Sequence, residues 1–189
     1  MNTMRMLKNL HYVPLLLLLI LGCEKAESPN AQKTPLDYDS RVVREWFALE
    51  CTIVKETEGF FPPQAARAFG YMGITAYESV VKGWPGAKSL AGQLTGFDEM
   101  FTPFFDEEKQ YQWEIVANAA LSDMMRYMFQ KKISAENLAK IDELEQQWLD
   151  QLNTGIESSV KERSVAYGKA VAAGIYEYSK TDGGHEQYV

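Results

Sequence analysis

Histidine is nearly missing from this chain, occurring only at positions 11 and 185. That scarcity excludes several chemistries at once. A di-iron four-helix bundle needs Glu-x-x-His pairs projecting inward, and no such pair is present. The segment starting at His185 reads His-Glu-Gln-Tyr-Val, which opens like a zinc-protease HExxH but lacks the second histidine. Cysteine is equally scarce, at positions 23 and 51, so a Cys/His zinc cluster is excluded. There is no Gly-x-Ser-x-Gly elbow, P-loop or dinucleotide fingerprint. Basic clusters are missing too. Nineteen Lys and Arg face 26 Asp and Glu, a net charge of −7, and no basic stripe with interleaved aromatics marks a nucleic-acid interface. Strand-like alternation is almost absent, and no repeat recurs at a fixed period.

What is present starts with a targeting pattern. Arg5 and Lys8 precede any acidic residue, and a short apolar run, Val13-Pro14 followed by leucines, leads to Ile20-Leu21-Gly22-Cys23. A basic start, an apolar core and a small residue before the cut make a secretory signal. The run is shorter than the roughly 20 residues a spanning helix needs. The order before Cys23 resembles a bacterial lipobox, in which the cysteine is lipidated and becomes the new N-terminus; the alternative is an ordinary signal peptide with a chance cysteine. Residues 1–22 are therefore expected to be a lipoprotein signal peptide, and residues 23–38 a polar linker carrying the lipid on Cys23. Acyl chains contribute about 0.8 kcal/mol per buried CH2 to membrane attachment. This places the protein in a bacterial envelope, with the membrane as a partner through the anchor. Loss of residues 1–22 leaves 17 basic against 26 acidic residues, a net −9. Cys51 is then the sole thiol besides the anchor. It lies in an apolar helical pattern with no histidine near it in sequence, and reads as buried and inert.

Residues 39–189 read as an all-α domain of about five helices. The first is expected from about Ser40 to Thr57, with Val42, Val43, Trp46, Phe47, Leu49, Ile53 and Val54 on one broad face. The second opens at Pro62-Pro63, suited to a first turn, and stops before Gly83. Residues 83–105 form a connection rich in aromatics and glycine, expected to pack down on the bundle. A third helix is expected from about Glu107 to Lys131, with Met124, Met125 and Met128 as core filler. Ser134 caps a fourth helix, ended by Asn153-Thr154-Gly155. Ser159 to Glu162 forms a capping box for a fifth. The acidic groups Glu107-Glu108 and Asp142-Glu143-Glu145 read as solvated faces.

The second helix carries the most informative pattern. Arg67, Tyr71, Ile74 and Glu78 fall at i, i+4, i+7 and i+11 and share a face. Eleven residues span about 16 Å, so Arg67 and Glu78 cannot pair with each other. Each needs its own partner, in helix-to-helix ion pairs or on the floor of a polar pocket. Ala66, Phe69, Gly70, Gly73, Ala76 or Tyr77, and Val80 form another face, where the small residues are expected to let a neighbouring helix approach closely.

The stretch Pro-Pro-Gln-Ala-Ala-Arg-Ala-Phe-Gly-Tyr-Met-Gly-Ile-Thr-Ala-Tyr-Glu-Ser-Val-Val, residues 62–81, resembles the N-terminal helical region of bacterial vanadium-dependent haloperoxidase-like proteins, within the type 2 phosphatidic acid phosphatase superfamily. The resemblance rests on Pro62, Pro63, Arg67, Gly70, Gly73, Tyr77 and Glu78. It continues in Ser-Leu-Ala-Gly-Gln-Leu at residues 89–94 and in the segment from Ser164 to Gly184. It covers residues 40–189. The resemblance implies an all-helical fold and, for the complete family member, vanadate or phosphate held by a lysine, an Arg-Pro, a Pro-Ser-Gly-His and a Ser-Arg followed by histidine. Cationic side chains there hold the oxyanion, and a histidine is nucleophile or metal ligand. None of those motifs occurs here, so no catalytic residue is carried over and no cofactor is assigned to this chain. Two expectations stand. One is the scaffold part of such an enzyme, inactive alone, with the catalytic part missing through truncation, gene splitting or supply by a partner chain. The other is a lipid-anchored helical binding module without catalysis.

Overall fold

The computed structural model describes residues 33–184. The lipobox with Cys23, and His185, lie outside the described residues. Five helices account for the domain: α1 (Arg41–Glu56), α2 (Pro62–Val80), α3 (Trp113–Phe129), α4 (Ala135–Leu152) and α5 (Ser158–Ser179). Short 3-10 turns cover Pro35–Asp37, Val81–Gly83 and Glu99–Phe101. No strand occurs among the described residues. The expected all-α class and five-helix count agree with this.

α3 is the central helix. Thirteen of its 17 residues are buried, because it packs against all four other helices. A helix surrounded in this way must be apolar on nearly every side, and the run from Ile115 to Leu121, broken only by Asn118, supplies that. Asn118 is tolerated because both ends of its amide are used. Trp46 Nε1 donates to its Oδ1 at 2.9 Å, and its Nδ2 donates to the Glu145 carbonyl at 3.0 Å. This one side chain ties α1, α3 and α4 together. Met124, Met125 and Met128 are buried beside it as core residues.

α3 starts six residues later than the sequence pattern suggests. The Asp106 carboxylate accepts from the Glu108 N–H in a local turn. The Gln112 N–H, which a longer helix would have used internally, instead donates to Ser164 Oγ on α5 at 2.9 Å. Residues 106–112 thus belong to the aromatic connection. That connection does pack down, as expected. Phe97 is fully buried, with its ring 4.8 Å from that of Tyr178. Met100 and Phe104 on the same segment are 80% and 87% exposed.

The ends of α4 and α5 differ in how well local sequence foretells them. Ser134 accepts from the Asn137 N–H, the expected N-cap. At α5 the cap residue is Glu157, and no side chain makes a cap hydrogen bond. The expected capping box at Ser159 is not formed, because the helix already begins one residue earlier at Ser158. The joint between α4 and α5 turns on Gly155, at φ 74, a left-handed conformation that costs glycine little.

Cys51 is exposed, a correction to the buried reading. The inward side of α1 carries Val42, Trp46, Glu50 and Ile53. Successive residues are rotated by about 100° around a helix, so a buried Glu50 turns its neighbour outward. The acidic run on α4 also differs from a simple solvated face. Arg126 on α3 binds Asp142 at 2.7 Å and Glu145 at 2.6 Å, with Asp123 at 3.1 Å, and Glu145 is only 14% exposed. Glu107 and Glu108 are exposed, as expected. Among the described residues no helix is long and apolar enough to cross a membrane.

Candidate functional site

Arg67, Tyr71, Tyr77 and Glu78 of α2 fasten two irregular segments of the chain. Near its N-terminal end, Arg67 Nε donates to Asp182 Oδ2 at 2.8 Å, and Nη2 donates to the Ser179 carbonyl at 2.6 Å. Nη1 lies 3.8 Å from Met128 Sδ. Tyr71 Oη donates to the same Asp182 oxygen at 2.8 Å, and the Gly184 N–H donates to its other oxygen. Burial alone would raise the Asp182 pKa. The hydrogen bonds from Arg67, Tyr71 and Gly184 outweigh it and hold the carboxyl below its usual range. Burial also pushes the Tyr71 hydroxyl up, and the adjacent Asp182 charge adds to this.

At the other end of α2, Glu78 is buried and accepts from Ser89 Oγ at 2.8 Å and from the Leu90 N–H at 2.6 Å. Tyr77 Oη donates to the Lys88 carbonyl at 2.8 Å. Arg67 has an ion pair, but its partner Asp182 lies in the bend beyond α5 and not on a helix as expected. Glu78 finds neutral donors in the loop after the helix instead of a cation. Pro62 and Pro63 occupy the exposed first turn.

Gly70 and Gly73 are placed differently from the close-packing expectation. A Cβ at either position would meet nothing within 4 Å. The buried face of α2 is Ala68, Tyr71, Met72, Thr75, Glu78 and Ser79; Gly70 and Gly73 lie off it in open space, while Ala76 and Val80 of the same stripe pack against the core. Both faces of this helix contain small residues, and spacing alone does not say which is covered. The close approaches lie elsewhere. A Cβ on Gly168 of α5 would collide with the Val116 carbonyl of α3, and one on Gly174 with the Phe101 carbonyl.

Two features escaped the sequence reading. The first is Glu50. Its side chain is fully buried, and among the described residues neither carboxyl oxygen has a hydrogen-bond partner. Burial pushes its pKa up from 4.5 to about 8, so the group is largely protonated at neutral pH. The second is an apolar cleft of about 290 Å³ where the Pro35–Asp37 turn, the start of α1, the end of α2 and the start of α3 meet. Tyr38, Trp84 and Trp113 form aromatic walls, with Glu114 on one side. The only sequence signal for it was the spacing of those aromatics near helix ends.

The donor set around Arg67 does not fit vanadate or phosphate. Its guanidinium is directed to Asp182, and an incoming oxyanion would meet that carboxylate at the same place. No group of three or more His, Cys, Asp or Glu side chains among the described residues is arranged to hold a metal ion. Compared with protein-family models, curated proteins and solved structures, the chain matches none.

Proposed function

We propose that this chain is the N-terminal helical scaffold of a vanadium-dependent haloperoxidase-like or type 2 phosphatidic acid phosphatase-like lipoprotein, held at a bacterial membrane through Cys23. Its oxyanion chemistry would reside on sequence outside these 189 residues or on a partner chain. One observation carries the reading. The three separate stretches that resemble the family are bonded to one another: residues 62–81 reach residues 89–94 through Glu78, and reach the end of the 164–184 segment through Arg67 and Tyr71. Residues that look like a family motif thus form one mechanical unit. That is how a scaffold would use them.

The test is an assay of the purified chain with vanadate, bromide and peroxide, and separately with a phosphomonoester. No turnover above a boiled control is expected; turnover overturns the scaffold reading. Sequence following codon 189, in frame or after a frameshift, is expected to carry a Pro-Ser-Gly-His and a Ser-Arg, and co-expression of that part should restore activity. The anchor is tested by Cys23→Ser, which should move the protein from the membrane fraction to the soluble one. The alternative, a lipid-anchored binding module, is favoured by one feature, the apolar cleft beside Glu114. Unrelated sequence beyond codon 189 would support it.

A further inference from the structure

The cleft is lined by apolar side chains and aromatic rings, yet it carries a carboxylate with no direct ion-pair partner among the described residues. Glu114 sits in the first turn of α3, half-buried, and among the described residues it makes no hydrogen bond or ion pair. The second carboxylate of the cleft, Asp39, is already satisfied. It accepts from both the Arg41 side-chain Nε and the Arg41 backbone N–H, each at 2.7 Å. Arg41 is thereby drawn to Asp39, and its guanidinium carbon lies 5.9 Å from the Trp148 ring centroid. One of the cleft's rings already meets an ammonium: Lys33 Nζ lies 5.6 Å from the centroid of the Tyr38 ring. The wall therefore presents what a cation with an apolar body needs, the rings of Tyr38 and Trp84 and a half-buried carboxylate that Arg41 and Lys33 offset only through space, without a direct ion pair.

We propose that this cleft binds a small organic cation, an aromatic or similarly apolar body bearing an ammonium group, with the body against the rings of Tyr38 and Trp84 over a floor formed by the buried Trp113, and the ammonium on Glu114. The size agrees: a cavity of roughly 150 Å³ holds a benzene ring, so about 290 Å³ takes a bicyclic one. The electrostatics agree in sign. Burial raises the Glu114 pKa, Asp39 raises it further, and Arg41 and Lys33 oppose both; a bound ammonium would favour the ionised form. The site is independent of the scaffold reading, since it uses none of the motif residues of α2.

The probes are tryptamine, indole and indole-3-acetate, titrated into the full chain at neutral pH and followed by calorimetry and by the fluorescence of Trp84 and Trp113. Tryptamine should bind at least about tenfold tighter than indole, and indole-3-acetate more weakly than indole. Glu114→Gln should reduce tryptamine to the level of indole while leaving indole unchanged. Lys33→Ala should tighten tryptamine, because an internal competitor is gone. Trp84→Ala, at a half-exposed position that folding tolerates, should weaken tryptamine and indole together. Equal binding of tryptamine and indole overturns the proposal, as does an unchanged Glu114→Gln variant, loss of binding in Lys33→Ala, or no saturable binding of any probe at millimolar concentration.

Discussion

Arg67 and Asp182 stand 115 residues apart in sequence and 2.8 Å apart in the fold. The pair joins the start of α2 to the chain just beyond α5. It is partly buried, with the two side chains 12% and 28% exposed, and Tyr71 shares the carboxylate. Removing one member leaves the others with a lost partner, so Arg67→Ala or Asp182→Asn should each cost about 2 kcal/mol. The double variant should cost clearly less than the two single losses added together. Simple additivity in urea melts would show that the two groups are not coupled. The sign with pH is fixed by Asp182: its folded pKa is lowered, so this contribution is present at neutral pH and lost as pH falls through the carboxylate range.

Glu50 has the opposite sign. Its folded pKa is raised from 4.5 to about 8, so the folded state holds the proton more tightly than the unfolded chain does. The resulting penalty is absent below about pH 4.5, grows up to pH 8 and then stays constant, with a slope of up to about 1.4 kcal/mol per pH unit. Glu50→Gln should flatten this dependence. Melting temperatures of the two proteins measured from pH 5 to pH 9 should diverge in favour of the variant as pH rises. Parallel curves would mean that the carboxyl is satisfied in solution.

The glycines of α2 and α5 should respond in opposite directions to the same change. Gly70→Ala and Gly73→Ala add a methyl group to open space on a helix and should stabilise by about 0.5–1 kcal/mol each. Gly168→Ala drives a methyl group into the Val116 carbonyl across the α3–α5 contact and should destabilise by about 2 kcal/mol. Thermal melting decides it. For a chain of this size each kcal/mol is about 2–4 °C, and a common sign for all three variants contradicts the packing described.

Glu78 and Tyr77 hold residues 88–90 from one side. Glu78→Leu should free the Leu90 amide, raising its hydrogen-exchange rate at least about tenfold, while amides at the centre of α3 keep their protection. Unchanged exchange at Leu90 argues that the loop is held by other contacts.

Helix content, the cap at Ser134 and the methionine core were all legible in the sequence, because each depends on neighbours within a few residues. The start of α3 was not, since the Gln112 amide is taken by Ser164, 52 residues away. Nor was the exposure of Cys51. Apolar neighbours make a cysteine look like core, and nothing local says that a glutamate takes the inward position. The same reason hides the Asp182 partner of Arg67. The helical face predicted that a partner was required, but its identity depends on how α5 returns to α2.

Seen from synthesis, the order of these contacts matters. α2 leaves the ribosome well before residue 182, and at 5–20 residues per second the interval is roughly 6–23 s. Through that time Arg67 and Tyr71 lack the Asp182 carboxylate they share in the finished fold. The last helical turn and the residues after it act as a clasp, so the domain closes when its far end arrives.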